Sequence, residues 1–296
     1  MKEVYEVPGS DLLEFKFTDN ISVFDKIIPS KIPRKGETLC RTSAHWFSRS
    51  NELGVRTHFV QLTGPNSMLV KRVRIERDPN KLTSDSRSIL IPLEIIARYY
   101  VAGSLLDRLK AGKVRPESIG FSRNYRPKYG DELPEPLIEA TTKLEDVDRP
   151  LSDEEARGLA KLSKDEWEDL ISAVLRVDDH MNRSVRDRGL IHVDGKKEFG
   201  FDPERQLMLI DTFGTADEDR FWDAEAYGRG ELVELSKELV RQHYRNIGYH
   251  DSLKAAREKG AQKKDEPPIP ALPQEMIGQV SKLYMDMFER LTGERF

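Results

Sequence analysis

Between Leu190 and Gly214 the chain reads LIHVDGKKEFGFDPERQLMLIDTFG, two strand-like runs around a polar turn of Asp202, Pro203, Glu204 and Arg205. With those four residues as the loop, Phe201 faces Gln206, Glu198 faces Leu209 and Lys196 faces Asp211. Opposed residues share a face, so Lys196, Glu198 and Asp211 gather on one side and Phe199, Phe201, Met208 and Ile210 on the other. Carboxylates are the hard oxygen ligands that Mg²⁺ takes, and a lysine ammonium neutralises charge that moves in phosphoryl transfer. On these three residues alone, a solvated hairpin face with a cross-strand ion pair is the plainer reading. A register change of one residue dissolves the cluster.

The elements that must position these residues fall into two groups. Up to Arg77 the runs VYEV, LLEFKF, THFVQL and SMLVKRVRI alternate between turns, which predicts a small antiparallel lobe over residues 1–77, interrupted by a helix around Leu39 to Arg49. The rest, 78–296, reads as a larger α+β lobe. It opens on a polar loop, Asp78 to Ser88. A strand from Ile89 to Val101 follows, with Glu94, Ile96, Arg98 and Tyr100 on one face, and then a short helix LLDRLKAG. Residues Lys113 to Pro136 carry no countable period and read as an ordered loop.

Ser163 and Glu166 make a capping-box pattern ahead of a helix whose stripe is Trp167, Leu170, Ile171, Val174, Val177, Met181 and Val185, stopped at Gly189. Asp178 and Asp179 read as solvated. Ala255 to Glu275, with its prolines and lysines, reads as a linker or surface excursion. A last helix with Met276, Val280, Leu283, Met287, Phe288 and Leu291 on one side should pack back on the body.

Lys+Arg number 48 against 52 Asp+Glu, a formal net charge of -4, so no basic surplus marks a nucleic-acid partner. The most apolar run, ILIPLEIIARYYVAG, carries Glu94 and Arg98, so no membrane span is expected. Cys40 is the one cysteine, which excludes an intramolecular disulfide and fits a cytoplasmic location; a lone thiol reads as core filler. His45, His58, His180 and His192 form no metal-ligand spacing. Self-association stays open.

Over nearly its whole length the chain resembles the SAICAR synthetase family. Asp194, Lys196, Glu198, Phe199 and Gly200 match its Asp-x-Lys-x-Glu-Phe-Gly stretch; Asp211 follows at the end of the next strand, then Thr215, Asp217, Arg220, Phe221 and Trp222. TDNISVFD, PRKGETLCRTSAHWF, PLEIIARYYVAGS, LPEPLIEATTKLED and LYMDMFERLTGERF are similar to further stretches of the family, in order. The resemblance implies a two-lobed α+β fold with an ATP-grasp or kinase-like nucleotide site between the lobes. It also implies an ATP-dependent, Mg²⁺-requiring ligase of purine biosynthesis that joins the carboxylate of CAIR to L-aspartate through an acyl phosphate.

By the same carry-over, Glu198 and Asp211 hold Mg²⁺, with Asp194 beside them, and Lys196 meets the transferring phosphoryl. Arg98 and Ser104 bind the carboxylate and phosphate region of CAIR, and Arg220 its 5′-phosphate. Lys2 and Lys71 belong to the ATP site, the latter where adenine lies. Thr141 and Lys143, with Asp148 after them, belong to a loop over the substrates, and Asp217 to the substrate site.

Spacing alone offers plainer readings: Arg98 paired with Glu94, Ser104 as a helix cap, and Arg220 in a surface ion pair with Asp217 or Asp219. The chain also departs from the family pattern. The glycine-rich Gly-Lys opening has no counterpart ahead of Lys2. Thr212 stands where a Glu is usual, and Glu218 and Asp219 stand where serines are usual. Carboxylates beside a phosphate repel it, so these two side chains either point away or the substrate differs.

Overall fold

The computed structural model describes residues 1–145 and 148–296; Asp146, which closes the LPEPLIEATTKLED stretch, and Val147 lie outside the described residues. Alternation in LLEFKF buries Phe15 and Phe17 on one side of a strand. That strand belongs to a four-stranded antiparallel sheet, of order β1-β2-β6-β5, drawn wholly from residues 2–71. Its members are β1 (Lys2–Glu6), β2 (Leu12–Phe17), β5 (Phe59–Gly64) and β6 (Ser67–Lys71), with the hairpin β3 (Asn20–Val23) and β4 (Lys26–Lys31) and helix α1 (Lys35–Glu52) between them. Lys2 pairs with Phe17 and Val4 with Phe15, so Lys2 shares the inner, apolar face of the sheet.

The second sheet carries the chemistry. It contains β7 (Ile89–Leu90), β8 (Leu93–Tyr100), β9 (Glu132–Thr142), β10 (Pro150–Leu151), β11 (Leu190–Phe201), β12 (Leu207–Ile210) and β13 (Arg220–Asp223). Its order is β10-β9-β8-β11-β12, and β11 also pairs with β7 and β13, so one twelve-residue strand is the spine of the sheet. The strand β9 occupies part of what the sequence suggests is loop. Pro134 and Pro136 conceal it, and they are tolerated because β10 covers only Ala140 and Thr141 and leaves the proline end at the sheet edge.

Helices α2 (Gly103–Lys110) and α3 (Asp153–Ala160) flank this sheet, and α4 (Lys164–Arg186) packs along β11. The Ser163/Glu166 capping box is present, and Trp167, Leu170, Val174, Val177, Met181 and Val185 are buried as their spacing predicts. Asp178 is not solvated: it lies four residues after Val174 on the buried stripe. There Lys197 gives it a counter-charge, and the Tyr99 hydroxyl donates to it at 2.9 Å.

After α5 (Ala224–Gly228), α6 (Glu238–Asn246) and α7 (Tyr249–Glu258), the proline-rich segment is tied down. Tyr249 and Tyr244 donate to the carbonyls of Pro267 and Pro270, and Glu266, Ile269 and Leu272 are buried. The last helix, α8 (Gln274–Thr292), packs back on α1 and α4 as expected. No helix among the described residues is long and apolar enough to cross a membrane.

Candidate functional site

The hairpin register is one residue away from expectation: Glu198 opposes Ile210, and Phe199 opposes Leu209. The Asp202 carboxylate accepts the N–H groups of Glu204 at 3.0 Å and Gln206 at 2.7 Å, and Arg205 takes a left-handed φ of 59°. Gln206 thereby joins the loop. In a continued strand this slip would carry Asp211 to the wrong face. Asp211 instead has a φ of 61°, which ends β12 and turns the carboxylate back toward Glu198.

The cluster therefore forms, and it is larger than the sequence suggests. Lys196 Nζ lies 2.8 Å from Glu94, 3.6 Å from Glu198 and 3.6 Å from Glu218. Lys143 Nζ sits 2.5 Å from Glu198 and 3.7 Å from Glu94. Lys2, descending from the small sheet, pairs with Asp211 and lies 4.9 Å from the centre of the Phe15 ring.

These contacts set the charges. Burial, and after it the charge of Asp211, pushes the Glu198 carboxyl up to about 7 against the pull of Lys143 and Lys196. Burial acts the same way on Asp211, yet Lys2 and Lys143 hold it below the ordinary carboxylate range. Burial would lower the Lys196 ammonium, but Glu218, Glu198 and Glu94 together raise it.

Two residues along the same face of β11, Asp194 accepts from Arg98 Nη1 at 3.2 Å and from Arg220 Nη1 at 2.6 Å. Arg98 does not pair with Glu94; its Nε donates to Glu139 at 2.7 Å and its Nη2 to the Ser104 hydroxyl at 3.1 Å. Glu139 also takes Arg108 at 2.7 Å, and Arg220 Nε lies 3.2 Å from Glu234. The Arg220 guanidinium rests against Gly103, where an added Cβ would come within 2.9 Å of it. Gly103, at the first turn of α2 with φ 51°, thus lets the helix start approach the arginine.

The other expected residues lie apart from these contacts. Thr141 is buried across from Glu94 in the β8–β9 ladder, and its hydroxyl has no partner among the described residues. Lys71 ends β6 at the surface and lines a cleft with Leu12, Arg72, Arg74 and Met208. Asp217 faces neither arginine. Its carboxylate takes Lys35 at 2.7 Å, Lys237 at 3.2 Å and the Tyr284 hydroxyl at 2.5 Å. Against burial, Lys35 and Lys237 hold that carboxyl below its ordinary range.

Both unusual carboxylates point away from Arg220, with Glu218 on Lys196 and Asp219 on His192 at 2.9 Å and on the Gly214 N–H at 2.9 Å. Sequence reasoning left Glu94, Glu139, Lys35 and Glu218 without roles. Period two already placed Glu94 on the face of Arg98, and it would have placed Glu139 with Thr141 had β9 been read as a strand.

Comparison with known proteins bears on the whole chain. The family model for SAICAR synthetase matches residues 1–256. The phosphoribosylaminoimidazole-succinocarboxamide synthase of Thermoplasma volcanium is 50% identical over 100% of this chain and 97% of its own length. The SAICAR synthase of Saccharomyces cerevisiae, solved with SAICAR, superposes with a TM-score of 0.73 at 25% identity, covering 100% of this chain and 93% of that one. A SAICAR synthetase solved in complex with ADP gives 0.69 at 24% identity, covering 100% and 96%, a likeness of fold. With an antiparallel α+β fold that these structures share, and a relative this similar end to end, the chain belongs to the SAICAR synthetase family.

Proposed function

We propose that the chain joins the carboxylate of CAIR to the amine of L-aspartate at the expense of ATP, giving SAICAR, ADP and phosphate in the cytoplasm, on the Asp194–Glu198 face of β11. The supporting observation is the alignment of Asp194, Lys196 and Glu198 on alternate positions of one strand, with the arginine group at one end and the lysine–carboxylate group at the other. Four residues of strand span about 13 Å, the scale of a ribotide carboxylate laid against a triphosphate end.

Arg98 and Ser104 hold the carboxylate and phosphate region of CAIR, and Arg220 its 5′-phosphate, the two arginines in exchange for part of their present pairing with Asp194 and Ser104 for its bond from Arg98. Lys143 and Thr141 approach from β9 and its loop. Residues 1–77 cover ATP, with Lys2 above the phosphates and Lys71 at the cleft that takes adenine. Asp217 drops out of the substrate roles because its carboxylate is already engaged by three donors.

An oxygen of the CAIR carboxylate attacks the γ-phosphorus, the bond to the bridging oxygen breaks, and ADP leaves. The aspartate amine, as its free base, then attacks the acyl carbon, phosphate leaves with the former carboxylate oxygen, and the nitrogen gives up one proton to the departing phosphate. Lys196, held among three carboxylates, is positioned to follow the phosphoryl group and balance its charge.

The residues present fit Mg²⁺: Glu198 and Asp211 are hard donors close enough for the charge of one to raise the proton affinity of the other, and lysines now supply the positive charge they face. When bound, the ion neutralises polyphosphate oxygens. Glu218 and Asp219 turn away from Arg220, which removes the repulsion that would otherwise favour a different carboxylate substrate.

The test is ADP release with Mg²⁺ and ATP, adding CAIR and L-aspartate singly and together. Sustained turnover only with both is the expected result. Turnover with CAIR and a different amine, or ATP binding without turnover under any pairing, would overturn the reading.

A further inference from the structure

On the far side of β11 from the proposed site lies a buried polar pair whose position is tied to both functional groups. His192 and Asp219 have side chains with no exposed surface, 2.9 Å apart, and the second ring nitrogen of His192 lies 2.7 Å from Asn182 of α4. The Asp219 carboxylate also accepts the Gly214 N–H at 2.9 Å, while the Asp219 backbone N–H donates to the Thr215 carbonyl at 2.9 Å. One side chain thus closes the loop between β12 and β13 on itself and fastens it to α4. The His192 ring stacks on Phe221 at 5.1 Å, the residue after Arg220.

Two backbone features make room for the pair. The β11–β13 register shifts between His192 and Asp194, a bulge that places His192 on the far face while Asp194 keeps the near one. Gly195, between Asp194 and Lys196, has no side chain where a Cβ would collide with Asp219 and come within 2.9 Å of His192 Nε2. The neighbours of Asp219 in sequence, Glu218 and Arg220, are the loop's contacts to Lys196 and Asp194.

We propose that Asp219, clamped by His192, is a positioning residue that fixes Arg220 on Asp194 and Glu218 on Lys196, setting the distance between the ribotide-phosphate end and the phosphoryl end of the site. This rests on the functional reading above for its kinetic consequence, but not for its geometric one.

The test compares Asp219→Ala with Asp219→Asn, which keeps groups able to meet both Gly214 and His192. The alanine variant should raise KM for CAIR at least tenfold while changing KM for ATP less than threefold, and the asparagine variant should recover most of the loss. KM values for CAIR and ATP that rise together, an asparagine variant as poor as alanine, or no change in either variant would each overturn the proposal. Crystal structures of the same variants separate it from the functional reading: the alanine variant should lose the 2.6 Å contact between Arg220 and Asp194, and the asparagine variant should keep it. Persistence of that contact in Asp219→Ala overturns the proposal whatever the substrate is. Should the alanine variant fail to fold, Asp219→Leu, which is close to the aspartate in size and has no hydrogen-bonding atom, takes its place under the same criteria.

Discussion

Two lysine–carboxylate clusters lie on either side of Glu218, and they differ in closure. Around Lys196, three lysines meet four carboxylates, Glu94, Glu198, Asp211 and Glu218, and the Lys196 side chain stays 28% exposed. Around Asp217, Lys35 is fully buried and one carboxylate takes two lysine ammonium groups and a tyrosine hydroxyl, with the Met1 ammonium at 3.9 Å. The first has excess negative charge and an open side, so a cation has something to gain there, and a phosphate gains once that cation is bound. The second has used its lone pairs within the chain, and it ties α1, α8 and the loop before β13 together. Residue types are the same in both; the difference is whether any bonding capacity is left for a ligand.

The largest effect expected from this contrast is on stability. Asp217→Asn leaves Lys35 buried without its counter-charge and should destabilise the fold by about 3–5 kcal/mol, read by denaturant unfolding. The molecules that remain folded should keep their turnover; a variant of unaltered stability and lost turnover would place Asp217 back in the substrate site.

Next, Asp211→Asn should cut turnover by about 10²-fold and raise the Mg²⁺ concentration needed for half activity, with the Lys2 pair weakened. An unchanged Mg²⁺ requirement would remove Asp211 from the metal role. Arg220→Met, which deletes a charge-assisted pair worth about 1.5–3 kcal/mol, should raise KM for CAIR roughly 10–100-fold and leave KM for ATP near its starting value. A rise for ATP alone would invert the proposed orientation of the substrates.

The smallest effect is a pH dependence. Asp217 has a folded-state pKa below its ordinary value of 3.8, so its contribution to stability is present above that value and lost as pH falls through the folded one. The stability gap between the parent and Asp217→Asn should therefore narrow below about pH 4, measured as melting temperature. A gap that widens on acidification would mean that the carboxyl is not held ionised by its lysines.

Much of the frame could be read from the sequence where one period ran long enough. The α4 stripe and its capping box survive intact, and the Asp194–Lys196–Glu198 alternation is the spine of the site. The hairpin cluster came out correct through a register that was not, because a side-chain cap at Asp202 lengthened the loop and a left-handed Asp211 reversed the consequence. Neither device leaves a periodic signal. The charge of Asp178 suggests a solvated position, although its spacing from Val174 puts it in the core. The partners of Asp217 leave no local signal: Lys35 is 182 positions away, and the packing of α1 against α8 brings it beside Tyr284. Local pattern finds faces of strands and helices, whereas closure of a charged cluster is decided by long-range topology.

Turnover by Lys196→Met, followed as ADP release with saturating ATP, Mg²⁺, CAIR and L-aspartate, tests most directly whether the open cluster is where phosphoryl transfer is handled. The expected result is a fall in kcat of about 10²–10³-fold, with stability far closer to the parent's than that of Asp217→Asn. Full kcat in Lys196→Met would contradict it.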